Sequence, residues 1–158
     1  TQLVKDIYPG TAPAFFNGNL DSAVVNGVAY FPENDGVHGV ELWTSDGTAA
    51  GTVMVKDIWP GSVSSDPLEL RALFGRLYFQ ATDGPNGREL WTSDGTAAGT
   101  FMVCDVAPGR DSSGPSGMIA VGDRIYFAAT TSETGNELWS VDRVLDNPAG
   151  LRRRAVHP

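Results

Sequence analysis

Short runs of alternating apolar and polar residues, separated by Gly- and Pro-rich turns, recur along the chain. In one of them, Leu77, Phe79 and Ala81 fall on one face and Tyr78 and Gln80 on the other, because successive strand side chains point to opposite faces. No run shows a helical period. The pattern predicts four strands joined by tight turns, an antiparallel meander. The predicted strands of this unit are Leu68–Phe74, Arg76–Thr82, Arg88–Ser93 and Thr100–Val106.

The meander is part of an internal repeat. Glu41–Gly61 and Glu89–Gly109 are identical at 17 of 21 positions, with an offset of 48 residues, and a third, decayed copy begins at Glu137. The N-terminal LVKDIYPG (Leu3–Gly10) matches the end of the unit, MVKDIWPG (Met54–Gly61). A repeated four-stranded sheet with two apolar faces must be covered by its neighbours, which is typical of β-propeller blades. A β-solenoid is the structural alternative.

The repeats predict the number of strands and the division of the chain. One strand is expected at Leu3–Ile7, followed by units of four, four and three, so residues 1–146 would form about three propeller-like blades. Residues 147–158 form a tail that does not resemble the repeat. Known rings have about four to eight blades, so three cannot close. We therefore expect self-association, or neighbouring repeats, to complete the ring.

Composition excludes several classes of protein. A net charge of −8 and a pI near 4.5 disfavour nucleic-acid binding. The single cysteine excludes an intramolecular disulfide and a Cys-rich zinc site. No apolar stretch approaches the ~20 residues of a transmembrane helix. Motifs of common hydrolases, zinc proteases and nucleotide-binding proteins are absent.

The repeated motif ELWTSDGTAAGT, at Glu41–Thr52 and Glu89–Thr100, resembles the bacterial ELWxxDGT tandem-repeat family. The resemblance extends over Leu3–Asp142, although Arg143 and Val144 replace Gly-Thr in the third copy. It implies a propeller-like part of a longer, often exported bacterial protein with a scaffold or binding role. It supplies no catalytic residues.

The turn residues suggest a structural role more than a metal site. Calcium needs six to eight oxygens, and the turns at Asp46 and Asp94 each offer one carboxylate. We expect these aspartates to cap backbone N–H groups as Asx-turns. The aspartates that recur in the last strand, Asp6, Asp57 and Asp105, are likewise expected to bind turn backbone.

Aromatic residues divide into two groups. The strand tryptophans, Trp43, Trp91 and Trp139, recur once per unit and are expected to pack between blades rather than to stack on sugars. Trp59 lies in the link after its unit and is the better candidate for ligand contact, with a local packing role as its alternative. Cys104 replaces a repeated lysine and is expected to be accessible.

The sequence therefore predicts no catalytic, cofactor-binding or metal-ligating residue. The leading hypothesis is a non-catalytic module, extracellular or in the cell envelope, that presents blade loops to a protein or glycan. Two alternatives stay open: a fragment of a propeller hydrolase or lyase, and a calcium-stabilised adhesin segment. Repeated polar positions argue against the enzyme, because propeller enzymes place unlike polar residues near the axis.

Overall fold

A computed structural model describes residues 1–9 and 21–144, which form an all-β structure of eleven strands. The strands make three antiparallel sheets of four, four and three strands. The first sheet contains β1 (Ala23–Val25), β2 (Val28–Asn34), β3 (Val40–Ser45) and β4 (Val53–Lys56). The middle sheet contains β5 (Leu68–Leu73), β6 (Arg76–Thr82), β7 (Arg88–Ser93) and β8 (Phe101–Cys104). The third contains β9 (Ser116–Val121), β10 (Arg124–Thr131) and β11 (Gly135–Asp142).

Each sheet is a meander whose neighbours in space are neighbours in sequence. The β1–β2 turn is tight because Asn26 and Gly27 both take positive φ, and Phe74 and Gly75 do the same between β5 and β6. The β3–β4 and β7–β8 pairs share one register, with Trp43 opposite Met54 and Trp91 opposite Met102. The sequence repeat is thus also a repeat of strand pairing.

The middle sheet is sandwiched between the other two, as the alternation in Arg76–Thr82 predicts. Leu77, Phe79 and Ala81 are fully buried in a cluster shared with the first sheet. Tyr78, from the opposite face of β6, is fully buried in a second cluster with Phe127 of the third sheet. The strand tryptophans are also buried, which agrees with the predicted packing role.

The sheets approach one another most closely through their first strands. β1 lies beside β5, and β5 lies beside β9. The last strands of the sheets are not brought together in this way within the described residues.

Three strand predictions need correction. β5 ends at Leu73 rather than Phe74, because Phe74 takes a positive φ in the turn to β6. Leu3–Ile7 is not a strand, because no described strand lies alongside to pair with it. β8 ends at Cys104 rather than Val106, because the Val106 N–H donates to the Glu89 carboxylate instead of a neighbouring strand. The non-repeat tail, residues 147–158, and the three extra residues of the first link, within 10–20, lie outside the described residues.

Candidate interaction surface

The two DGT turns, at the β3–β4 and β7–β8 connections, are held by the same hydrogen bonds. Asp46 Oδ1 accepts from the N–H and the hydroxyl of Thr48, at 2.9 and 2.7 Å. Asp94 Oδ1 accepts from Thr96 at the same two distances. These are Asx-turns, as the sequence predicts, and they use one oxygen of each aspartate twice. The hydrogen bonds lower the pKa of both aspartates, although partial burial opposes this at Asp94.

A buried glutamate at the ELW position fastens each complete sheet to the link that follows it. Glu41 is fully buried and accepts hydrogen bonds from the N–H groups of Ile58 and Ser65, at 2.9 and 3.1 Å. The Ser65 hydroxyl donates to the same carboxylate at 2.6 Å, and Trp59 N–H is 3.5 Å away. The carboxylate thus joins β3 to both ends of the link.

Glu89 makes the corresponding contacts in the middle sheet. Val106 N–H donates to Oε2 at 2.9 Å, Ala107 N–H to Oε1 at 3.3 Å, and Ser113 donates from both its N–H and its hydroxyl. Burial raises the pKa of Glu41 to about 7 against the lowering effect of its hydrogen bonds, and it raises the pKa of Glu89 for the same reason. We call the glutamate carboxyl and its hydrogen-bond donors the glutamate cage. The protonated carboxyl also fits this cage, because its O–H can donate to the serine hydroxyl.

Sequence reasoning overlooked these glutamates as structural centres. The signal was available, since a charged residue recurs in all three copies inside a strand and shares the face of a buried tryptophan. Such a residue stays buried only where it is well hydrogen-bonded. The third copy differs, because Glu137 is exposed.

Trp59, the candidate ligand contact, packs against the next sheet. A Cβ added to Gly84, in the β6–β7 loop, would lie 2.6 Å from Trp59 Cζ2, so the glycine provides the space for the indole. Tyr8 uses Gly36, in the β2–β3 loop, in the same way. The local packing alternative therefore describes Trp59 better, although the ring remains partly exposed.

Two further predictions about single residues are resolved. Asp57 Oδ2 accepts the Gly61 N–H at 3.2 Å, as expected for a turn-binding aspartate. Asp105 makes no such bond. For Asp6, the glycine equivalent to Gly61 is Gly10, which lies outside the described residues. The prediction that Cys104 is accessible is right only in part: the residue is partly exposed but packs against the second cluster, and burial raises the pKa of its thiol to about 12.

The two rims of the sheets differ in how strictly they repeat. Because the strands run antiparallel, one rim collects the DGT turns and the first turns of the sheets. The opposite rim, which we call the link rim, consists of the β2-to-β3-type loops and the links between sheets. The link rim comprises residues 35–39, 57–67, 83–87, 105–115 and 132–134.

Loop sequences on the link rim vary in part from unit to unit: the first two share the pattern Asp-Gly-x-x-Gly and differ at the two residues between the glycines. The first loop reads DGVHG, the second includes DGPNG, and the third is SET. Val37 and Val63 are exposed there, at 63% and 47% of their full areas. His38 is held by Asp35 through a 2.7 Å contact from Nδ1, and this carboxylate raises the pKa of the imidazole.

The described residues present no assembled metal cluster. Within residues 1–9 and 21–144, no three His, Cys, Asp or Glu side chains are placed to hold a metal ion. The protonated thiol of Cys104 is a poor nucleophile. None of these residues forms a helix that is long and apolar enough to cross a membrane.

Comparisons of the chain with protein-family models, with curated proteins and with solved structures found no match in any of the three.

Proposed function

We propose that the three sheets are consecutive blades of a β-propeller-like array. The proposal is supported by the approach of β1 to β5 and of β5 to β9, because blades radiate from an axis lined by their first strands. It is also supported by strand pairing, which in the described sheets stays within each unit. A solenoid would instead pair strands of successive turns.

On this scaffold the function we propose is non-catalytic binding of a protein or glycan at the link rim. The observation that carries the proposal is the contrast between the two rims. The DGT turns of the two complete copies are identical, and their aspartates accept hydrogen bonds from the backbone of the same turn. The link-rim loops differ at several positions and leave Val37 and Val63 exposed. In repeat proteins, variation concentrated on one face often marks the binding face.

Charge on the link rim narrows the chemistry of the partner. The described loops of the rim carry seven acidic side chains, against Arg110 and the imidazole of His38, and Arg88 at the start of β7 lies 3.8 Å from Asp66. A partner with a basic patch, or a glycan bearing amino groups, would complement it. The acidic residues are Asp35, Asp57, Asp66, Asp83, Asp105, Asp111 and Glu133.

The resemblance of the motif to ELWxxDGT proteins supports a setting for this activity. We propose that the chain belongs to a larger exported bacterial protein, in the cell envelope or outside the cell.

The experiment compares matched rim variants of the whole chain. An array of glycans and of basic and acidic peptides is probed with the labelled protein, and hits are repeated with Val37→Asp/Val63→Asp. The control is Ala50→Asp, on the exposed DGT turn. We expect the link-rim variant alone to lose binding. Loss in the control alone, or the release of cleaved glycan products by the unmodified protein, would overturn the proposal, the latter in favour of a hydrolase or lyase.

A further inference from the structure

The outer face of the third sheet leaves apolar side chains uncovered. Leu138 is 66% exposed, whereas its counterparts Leu42 and Leu90 are fully buried against the following sheet. Ile119 and Val121, on the same face, are 58% and 56% exposed. β11 also forms a free edge of this sheet, which has three strands where the others have four. Among residues 1–9 and 21–144, the third sheet therefore has neither a fourth strand nor a covering neighbour.

Residues 1–9 already make the contacts of a fourth strand toward the sheet that follows it. Lys5 Nζ donates to the Thr52 carbonyl at 2.7 Å and lies 5.9 Å from the ring of Trp43. At the end of β4, Lys56 Nζ donates to the Thr100 carbonyl at 2.8 Å and lies 5.9 Å from the ring of Trp91.

The aromatic residue that follows repeats the pattern, since Tyr8 packs on Gly36 as Trp59 packs on Gly84. The N-terminal segment thus occupies, against the first sheet, the place that the end of β4 occupies against the middle sheet. No described strand pairs with this segment on its other side.

We propose that the free edge of β11 pairs with Gln2–Ile7 of a second copy of the chain, and that the exchange is reciprocal, giving a closed dimer. The register follows from the two complete sheets, in which Leu42 pairs with Lys56 and Leu90 with Cys104. Leu138 follows Leu90 by 48 residues, and the match of LVKDIYPG to MVKDIWPG aligns Lys5 with Lys56. Lys5 would therefore lie opposite Leu138, and Leu3 opposite Trp139. Residues 2–7 keep their contacts with the first sheet of their own copy. On their other side they pair with the third sheet of the second copy.

The pairing must be between copies because the middle sheet separates the two partners within one copy. Its faces contact the first sheet on one side and the third on the other. Two copies bring six sheets together, a number within the range of closed rings, and a two-fold arrangement uses both open ends.

The exposed Glu137 provides independent evidence for the proposed pairing of β11 with residues 2–7 of a second copy. Its counterpart Glu41 accepts the N–H groups of Ile58 and Trp59. The equivalent residues of the N-terminal segment are Ile7 and Tyr8. In the dimer their N–H groups would reach Glu137 of the other copy, which explains a glutamate retained where the monomer does not bury it. The inference goes beyond the proposed function, since it holds whatever partner the link rim binds.

Disulfide trapping tests the register in the full chain. In a Cys104→Ser background, Lys5→Cys/Leu138→Cys should give a covalent dimer on mild oxidation. Lys5→Cys/Asn136→Cys, displaced by two residues along β11, should crosslink far less, because Cα atoms more than ~7 Å apart do not form a disulfide readily. Lys56→Cys/Leu42→Cys should give a crosslinked monomer and confirms that the chemistry works in this fold. An intramolecular link, a ladder of larger species, or equal crosslinking of the displaced pair would overturn the proposal.

Light scattering and sedimentation of the unmodified protein provide the second test. We expect a dimer, and Glu137→Gln and Leu138→Lys should each raise its dissociation constant by roughly tenfold or more. Their urea midpoints, measured on dilute monomer, should stay close to that of the parent, which separates lost association from misfolding. A protein that remains monomeric at every accessible concentration would refute the dimer, whether or not the link rim binds a partner.

Discussion

The glutamate cage of the middle sheet allows a sharp test of the structure by the single substitution Glu89→Gln. The carboxylate offers two accepting oxygens to four donor groups. Glutamine has nearly the same shape, but it replaces one oxygen with an NH₂ group that can only donate. The change therefore removes acceptor capacity and little volume.

The cost follows from which hydrogen bonds can be rebuilt. With the amide oxygen at the Oε1 position, the N–H groups of Ala107 and Ser113 stay satisfied. The Ser113 hydroxyl can turn and accept from the new NH₂ group. The Val106 N–H then faces another donor and is left buried without a partner. One such group costs about 1–3 kcal/mol, so the free energy of unfolding should fall by that amount.

Urea unfolding followed by tryptophan fluorescence measures the effect. With a slope of about 2 kcal/mol/M, the midpoint should fall by roughly 0.5–1.5 M. The matched control is Glu137→Gln, at the same repeat position but exposed, studied in dilute solution. It should change stability by no more than about 0.5 kcal/mol. Equal effects of the two substitutions would show that the cage does not stabilise the protein.

Three other predictions concern packing, pH and metal. Gly84→Ala should lower the free energy of unfolding by about 1–3 kcal/mol more than Gly47→Ala does. Both glycines have φ near +88°, but only Gly84 faces Trp59. In a Trp59→Ala background, thermal unfolding should therefore show no difference between the two substitutions. Because the pKa of Glu41 is raised to about 7, the folded state binds more protons than the unfolded state between pH 4.5 and 7. The free energy of unfolding should therefore fall as the pH rises through this window. A free energy of unfolding that stays constant or rises there would contradict the raised pKa. Calorimetric titration with calcium should show no binding in the micromolar range, because each DGT turn contributes one carboxylate already bonded to its own threonine, and a clear exothermic isotherm there would refute this.

The sequence predicts the parts of the fold that depend on local chemistry. Alternation in Arg76–Thr82 gives the bounds of β6 and assigns Phe79 and Tyr78 to opposite buried faces, because a two-residue period directly reports which face each side chain occupies. The Asp-Gly-Thr turns are predictable for the same reason, as their hydrogen bonds span only two residues.

Contacts between distant segments are harder to predict from a single sequence. The Leu3–Ile7 segment has the composition of a strand, yet a strand requires a partner that the described residues do not supply. Trp59 looks like a free loop aromatic until Gly84, 25 positions later, is seen to receive it. The burial of Cys104 depends likewise on the third sheet, which the substitution of a lysine by cysteine does not reveal.

The joint between neighbouring sheets has a consequence for how such a chain can grow. At the joint between the first and middle sheets, the contact of the lysine with the tryptophan and that of the aromatic residue with the glycine lie within two adjacent 48-residue blocks. At the joint with the third sheet, Cys104 and Ala107 replace that lysine and that aromatic residue. Duplicating a block of the first kind copies both halves of an interface along with the fold. Gene duplication can therefore lengthen the protein one unit at a time, and the 17 matching positions of the two complete motif copies fit this mode of descent.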